Sequence, residues 1–175
     1  MQLLEIDTTI LKKMVTTTGE DLDSLSRKSP ILVVFLRHFG CVFCKEALND
    51  LADLKDHIKS KGFDIVFIHM SDEEVANKYF DQYKLSNSLH ISDKDAQYYA
   101  AFGITKGGFS QLYGLNTWIR GFSASKKGHN LEMAANLGDS TQMPGIFVLK
   151  DGVLVNSFIH KKASDRPDYS LLLEL

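Results

Sequence analysis

The stretch from Ile31 to Gly62 constrains the fold more than any other part of the chain. Ile31-Leu32-Val33-Val34-Phe35-Leu36 is an unbroken apolar run introduced by Pro30. Its lack of alternation predicts a strand buried on both faces, as at the centre of a parallel sheet. Arg37-His38-Phe39-Gly40 leads from it into Cys41-Val42-Phe43-Cys44, and the period then changes. Ala47, Leu48, Leu51, Leu54 and Ile58 form one helical stripe, with Lys45, Asp50, Asp53, Lys55 and Lys59 elsewhere on the helix. Lys59, Lys61 and Gly62 supply a basic last turn and a stop. A Cys-x-x-Cys pair thus sits where a buried strand gives way to an amphipathic helix.

The rest of the chain extends this pattern. Patchy helical spacing over 7–28 predicts one or two short helices. Phe63 to Met70 reads as a second strand, and Ser71 with Glu74 has capping-box spacing for a helix over 72–84. Leu89-His90-Ile91 is a short strand, and Asp93 to Phe102 a short helix closed by Gly103, with Asp93 and Asp95 as caps. Residues 103–140 are irregular and carry seven glycines and Trp118, with a helix expected near 109–119. Pro144 introduces a strand over 145–150, Asp151-Gly152 is a turn, and Val153 to Ile159 is the partner strand. Alternating elements followed by a hairpin predict an α/β fold, a central mixed sheet with flanking helices and a C-terminal β-hairpin. The expected organisation is a single domain, 1–175, with a helical N-terminal extension over 1–29 and an irregular insert over 103–140.

Composition narrows the function classes. A chain of 175 residues that is 44% hydrophobic can bury one real core. Its formal charge of −2 offers no general attraction for nucleic acid or an anionic membrane. The longest apolar run is far short of the ~20 residues that span a bilayer. Met1 to Asp7 lacks a basic n-region, so a cytoplasmic protein without a signal peptide is expected. Two cysteines cannot staple a secreted scaffold.

Those two cysteines admit several chemistries. At a helix N-terminus, unpaired N–H groups and the positive end of the dipole favour a thiolate at Cys41, with Cys44 one turn on to resolve it. His38, Cys41 and Cys44 could instead supply three zinc ligands, although no second cysteine pair completes a structural site. Haem attachment needs histidine after the second cysteine, and Lys45 stands there. The last reading makes both residues small packing elements at the junction.

The residues from Val34 to Cys44 resemble those of the thioredoxin superfamily, and more closely its peroxiredoxin-like branch, the AhpC/TSA antioxidant-enzyme type. Asp93, Tyr99-Ala100-Ala101-Phe102-Gly103, Gly138-Asp139, Met143-Pro144-Gly145-Ile146-Phe147, Asp151-Gly152 and Asp165-Arg166-Pro167-Asp168 carry the same resemblance. It implies a thioredoxin-like fold and a thiol-dependent oxidoreductase with Cys41 as nucleophile and Cys44 as resolving residue. The implied substrate is a peroxide or disulfide, and the implied reductant an external thiol donor such as thioredoxin or glutathione. No cofactor and no metal is expected, and a homodimer is compatible with the resemblance. It also implies that Pro144 is a cis-proline presenting the backbone of Met143 to substrate. The chain departs from a typical peroxiredoxin, with His38 and Val34 in place of a threonine and a proline, and from thioredoxin, with Phe35 in place of a buried acid.

Arg37 and His38 adjoin the motif, so Arg37 is a candidate to favour thiolate and position substrate, and His38 a candidate base. Arg120 is a candidate cleft residue; Lys126-Lys127-His129 and Lys161-Lys162 read as solvated surface. The rival of a different class is a non-catalytic thioredoxin-like binding module that docks a partner through the 103–140 insert.

Overall fold

The computed structural model describes residues 6–108 and 137–175. In chain order these form α1 (Thr8–Lys13), α2 (Leu22–Lys28), β1 (Ile31–Phe35), α3 (Val42–Ser60), β2 (Asp64–His69), α4 (Glu73–Gln82), β3 (Leu89–Ser92), α5 (Gln97–Ala101), β4 (Gly145–Lys150), β5 (Val153–Ile159) and α6 (Tyr169–Leu172). The sheet order is β3-β2-β1-β4-β5. β1, β2 and β3 run parallel, and the β4–β5 hairpin adds two antiparallel strands. This is the mixed α/β sheet that the element order predicts.

β1 is central because it can bury both faces. Leu32, Val34 and Leu36 pack against Leu48, Leu51 and Ile58 of α3 and against Phe80 of α4. Ile31, Val33 and Phe35 face Leu11 of α1, Leu22 and Leu25 of α2, and Tyr99 and Phe102 at α5. Full burial of each such side chain contributes about 1.5–3 kcal/mol. α3 stops as its sequence predicts: Gly62 takes φ +83, its N–H bonds the Lys59 carbonyl, and Phe63 N–H reaches back to Ile58.

Two local expectations change. Ser71 does not cap α4; Asp72 holds the N-cap position, without a side-chain cap bond. Ser71 is drawn into the core, where its N–H donates to His69 Nδ1 (3.2 Å) and its carbonyl accepts from Ser92 Oγ (2.7 Å). Glu74 instead pairs with Lys78 one turn on, at 2.8 Å. α5 is shorter than expected, and Ala96 at φ +53 precedes it. Asp93 still caps it, accepting from the N–H groups of Gln97, Tyr98 and Tyr99. The helix expected near 109–119, with Trp118 and Arg120, and the run Lys126-Lys127-His129 lie outside the described residues.

A buried polar chain crosses β2 and β3. Because Ser71 N–H donates to His69 Nδ1, the His69 proton lies on Nε2, which donates to His90 Nδ1 at 2.9 Å. His90 Nε2–H then donates to Asn77 Oδ1 at 3.0 Å. Both rings are therefore neutral, and burial lowers the basicity of both, that of His69 to a pKa of about 3. Burial also lowers that of His38, to about 4. With folded values below the unfolded ~6.5, the unfolded chain binds protons first, so stability is complete above ~6.5 and falls towards pH 3–4. Between pH 7 and 5, His69 and His38 should each remove about 2 kcal/mol. Urea midpoints at pH 7 and pH 5 test this; equal midpoints would contradict the neutral assignment.

Candidate functional site

The site grows out of the end of β1. Leu36 N–H bonds the Ile68 carbonyl of β2 at 2.9 Å, and the buried Tyr99 hydroxyl is shared between the carbonyls of Ile68 (3.0 Å) and Leu36. This pins the chain one residue before Arg37. Replacing Tyr99 with Phe leaves those carbonyls short of a donor and should destabilise the fold by about 1–2 kcal/mol, read from urea denaturation.

Arg37 is only 2% exposed, and all of its donor nitrogens are engaged. Nε donates to the Gln142 carbonyl (2.9 Å), Nη2 to the Ser140 carbonyl, and Nη1 to Cys41 Sγ (3.1 Å). Among the described residues it has no carboxylate partner. Holding an ion in a low-dielectric interior costs several kcal/mol unless an opposite charge compensates it. Its one partner able to carry that charge is Cys41 sulfur.

Cys41 is the N-cap residue of α3, with extended backbone and no side-chain cap bond, so its sulfur lies at the positive end of a 19-residue helix while bonded to Arg37. Cys44 is buried in the first turn of that helix, and burial, reinforced by charge on Cys41, pushes its thiol well above the ordinary range. Both cysteines are free. The junction therefore holds two unlike thiols: one beside a cation, and one in apolar surroundings.

The remaining candidates occupy other positions. His38 is buried beside Gly40 and Gly138, its Nε2 has no hydrogen-bond partner, and it is neutral through burial and the adjacent Arg37. It thus adds no positive charge to the site. The Met143–Pro144 peptide bond is trans, which corrects the cis expectation. Trans is the ordinary form of an X–Pro bond, and here the backbone of Met143 is already occupied. Its N–H donates to the Thr105 carbonyl (3.3 Å), and its carbonyl accepts from Gln142 Nε2 (3.4 Å). Among the described residues, no three His, Cys, Asp or Glu side chains gather as a metal site requires, so His38, Cys41 and Cys44 do not form the alternative zinc cluster.

Sequence reasoning missed the clip that holds Arg37. The start of the expected irregular insert pairs with the two residues just past its end, through a Lys106–Gln142 bridge and Gly107 N–H to the Thr141 carbonyl at 2.8 Å. Asp139 braces the turn, accepting from Thr141 N–H (2.8 Å) and Oγ1 (2.7 Å) and pairing with Lys106 (2.8 Å). The Ser140 and Gln142 carbonyls that face Arg37 belong to this turn. Its only sequence signal is Gly138-Asp139 followed by two hydroxyl residues, ordinary turn chemistry.

The five-stranded mixed sheet thus sets a buried cysteine at the junction of its central strand with α3. Residues 9–119 match Redoxin, and the chain belongs to that family. It is 28% identical over 185 residues to prostamide/prostaglandin F synthase of Sus scrofa, covering 100% of this chain and 88% of the relative. It is 26% identical over 171 residues to the thioredoxin-like protein AAED1, chloroplastic, of Arabidopsis thaliana, covering 93% and 68%. The structure of reduced Prx3 in complex with H2O2 from Vibrio vulnificus superposes with a TM-score of 0.63 at 16% identity, covering 99% of this chain and 97% of that one. At that identity the superposition speaks for the fold. Among the described residues no helix is long and apolar enough to cross a membrane.

Proposed function

We propose that this protein is a thiol peroxidase in which Cys41 is the nucleophile and Cys44 the resolving residue. The observation that carries the reading is the Arg37 guanidinium, held by two backbone carbonyls and directed at Cys41 Sγ from 3.1 Å. Cys41 thiolate attacks the terminal oxygen of a hydroperoxide, the O–O bond breaks, and the leaving alkoxide or hydroxide takes up a proton. Cys41 is left as a sulfenic acid. Cys44 thiol condenses with it, releasing water and forming a Cys41–Cys44 disulfide, which two equivalents of external thiol return to the dithiol. Thioredoxin or glutathione is the donor, in a reducing compartment such as the cytoplasm. The cycle uses no metal, flavin or nucleotide.

Support for a peroxide comes from the H2O2 complex of the Vibrio vulnificus protein, and the relatives named as prostamide/prostaglandin F synthases put lipid-derived substrates alongside it. The test is mass spectrometry of reduced protein after one equivalent of H2O2 or of an organic hydroperoxide. Wild type should lose two hydrogens and recover them with thiol. A mass unchanged after either oxidant would end this reading.

A further inference from the structure

A small cavity of about 40 Å³ lies beside the motif, between the end of β1, the first turns of α3, the start of β4 and the chain after β5. Cys44, Arg37, Pro144, His160 and Tyr169 are on its wall, whereas Cys41 is not. At about 10–15 Å³ per water-sized position, it has room for roughly three such positions, close to a CH2–S arm. Two buried polar atoms from its lining have no hydrogen-bond partner: His160 Nδ1 and Tyr169 Oη. Tyr169 is 7% exposed, and its hydroxyl has no hydrogen-bond partner among the described residues. Such atoms are rare in a folded interior and point to a ligand that completes them.

We propose that this cavity receives the cysteinyl arm of the reducing thiol, and that His160 Nδ1 takes the proton of that thiol as it attacks Cys44 of the Cys41–Cys44 disulfide. The inference rests on the peroxidase reading for the existence of that disulfide. The steps balance without a further reactant. The donor R–SH gives its proton to neutral His160, and its sulfur bonds to Cys44 Sγ. The Cys41–Cys44 bond breaks, and the electron pair leaves on Cys41 as thiolate, 3.1 Å from Arg37 Nη1 in the reduced structure. A second R–SH then displaces Cys44 thiol, giving R–S–S–R.

Leaving-group chemistry supports the direction. Exchange is faster when the departing sulfur is the better-stabilised thiolate. Arg37 holds Cys41, whereas burial disfavours charge on Cys44. Burial lowers the basicity of His160, against the charge of Asp165 and the backbone of Pro144 and Asp165; in its neutral form with the proton on Nε2 the ring offers a lone pair at Nδ1, the atom without a hydrogen-bond partner. A cysteinyl arm can come from glutathione or from a protein dithiol, and the site chemistry is the same for both.

The experiment prepares the disulfide with diamide, so that it does not depend on peroxide turnover. Limiting glutathione, or a thioredoxin whose resolving cysteine is serine, is added, and the mixed disulfide is mapped after an acid quench. The adduct should lie on Cys44 with whichever donor reacts. His160→Gln should slow reduction by glutathione by roughly 100-fold and leave oxidation by H2O2 at the wild-type rate. An adduct on Cys41, or unchanged reduction in His160→Gln, would overturn the inference and leave the peroxidase reading standing. Failure of diamide to form the disulfide would remove the resolving step itself, and this inference with it.

Discussion

Cys41→Ser should consume hydrogen peroxide at least ~10³-fold more slowly than wild type in a thioredoxin-coupled NADPH assay. The exchange changes one atom and keeps the packing of β1 against α3, but it leaves buried Arg37 without a counter-charge, so the urea midpoint should fall while the fold persists. What it removes is the sulfur that can carry negative charge beside Arg37 Nη1, 3.1 Å away. A serine hydroxyl in that position stays protonated near neutrality and attacks an O–O bond poorly. Cys44→Ser should behave differently. Its first turnover should proceed at the wild-type rate, because Cys41 and Arg37 are untouched. Without a partner thiol the sulfenic acid then persists and is open to over-oxidation, so repeated turnover should fail. Stopped-flow oxidation with mass analysis separates the two variants. Equal first-turnover loss in both would show that the cysteines do not have distinct roles.

The contrast between the variants bears on what could be read from the chain alone. Periodicity located β1, α3 and the hairpin, because each is set by local rules: an apolar run, a 3.6-residue stripe, a turn with Asp151 and Gly152 at positive φ. The cysteine pair at the strand-to-helix junction was legible for the same reason. Local rules fail where a contact spans the chain. Ser71 had the spacing of a cap, yet burial beside His69 took its polar groups into the core. Arg37 read as a candidate from proximity to Cys41, but its fixing depends on carbonyls of residues 140 and 142, about a hundred positions away. Backbone carbonyls leave no side-chain signature, so no motif announces them. The cis expectation at Pro144 failed similarly. It assumed a free Met143 backbone, which Thr105 and Gln142 occupy. His160 and Tyr169 were overlooked because neither lies near the motif in sequence.

Arg37→Met should lower the second-order rate of oxidation by H2O2 by about 10²–10³-fold, the range for losing a preorganised donor at a developing charge. Stability should move much less, because two effects oppose each other. Removing a buried cation relieves a desolvation cost, and apolar replacement of buried ions is often neutral or stabilising. Against this, the Gln142 and Ser140 carbonyls lose their donors, at about 1–3 kcal/mol for each buried acceptor left unmatched. Arg37→Lys separates charge from shape. It keeps the positive charge, but one ammonium cannot reproduce a planar fork that reaches two carbonyls and a sulfur at once. Its rate should therefore fall between those of wild type and Arg37→Met. Oxidation kinetics and urea midpoints on the same preparations decide the matter. If Arg37→Met oxidised at the wild-type rate, the guanidinium would be a structural tie between β1 and the 139–142 turn, and Cys41 would need another source of activation.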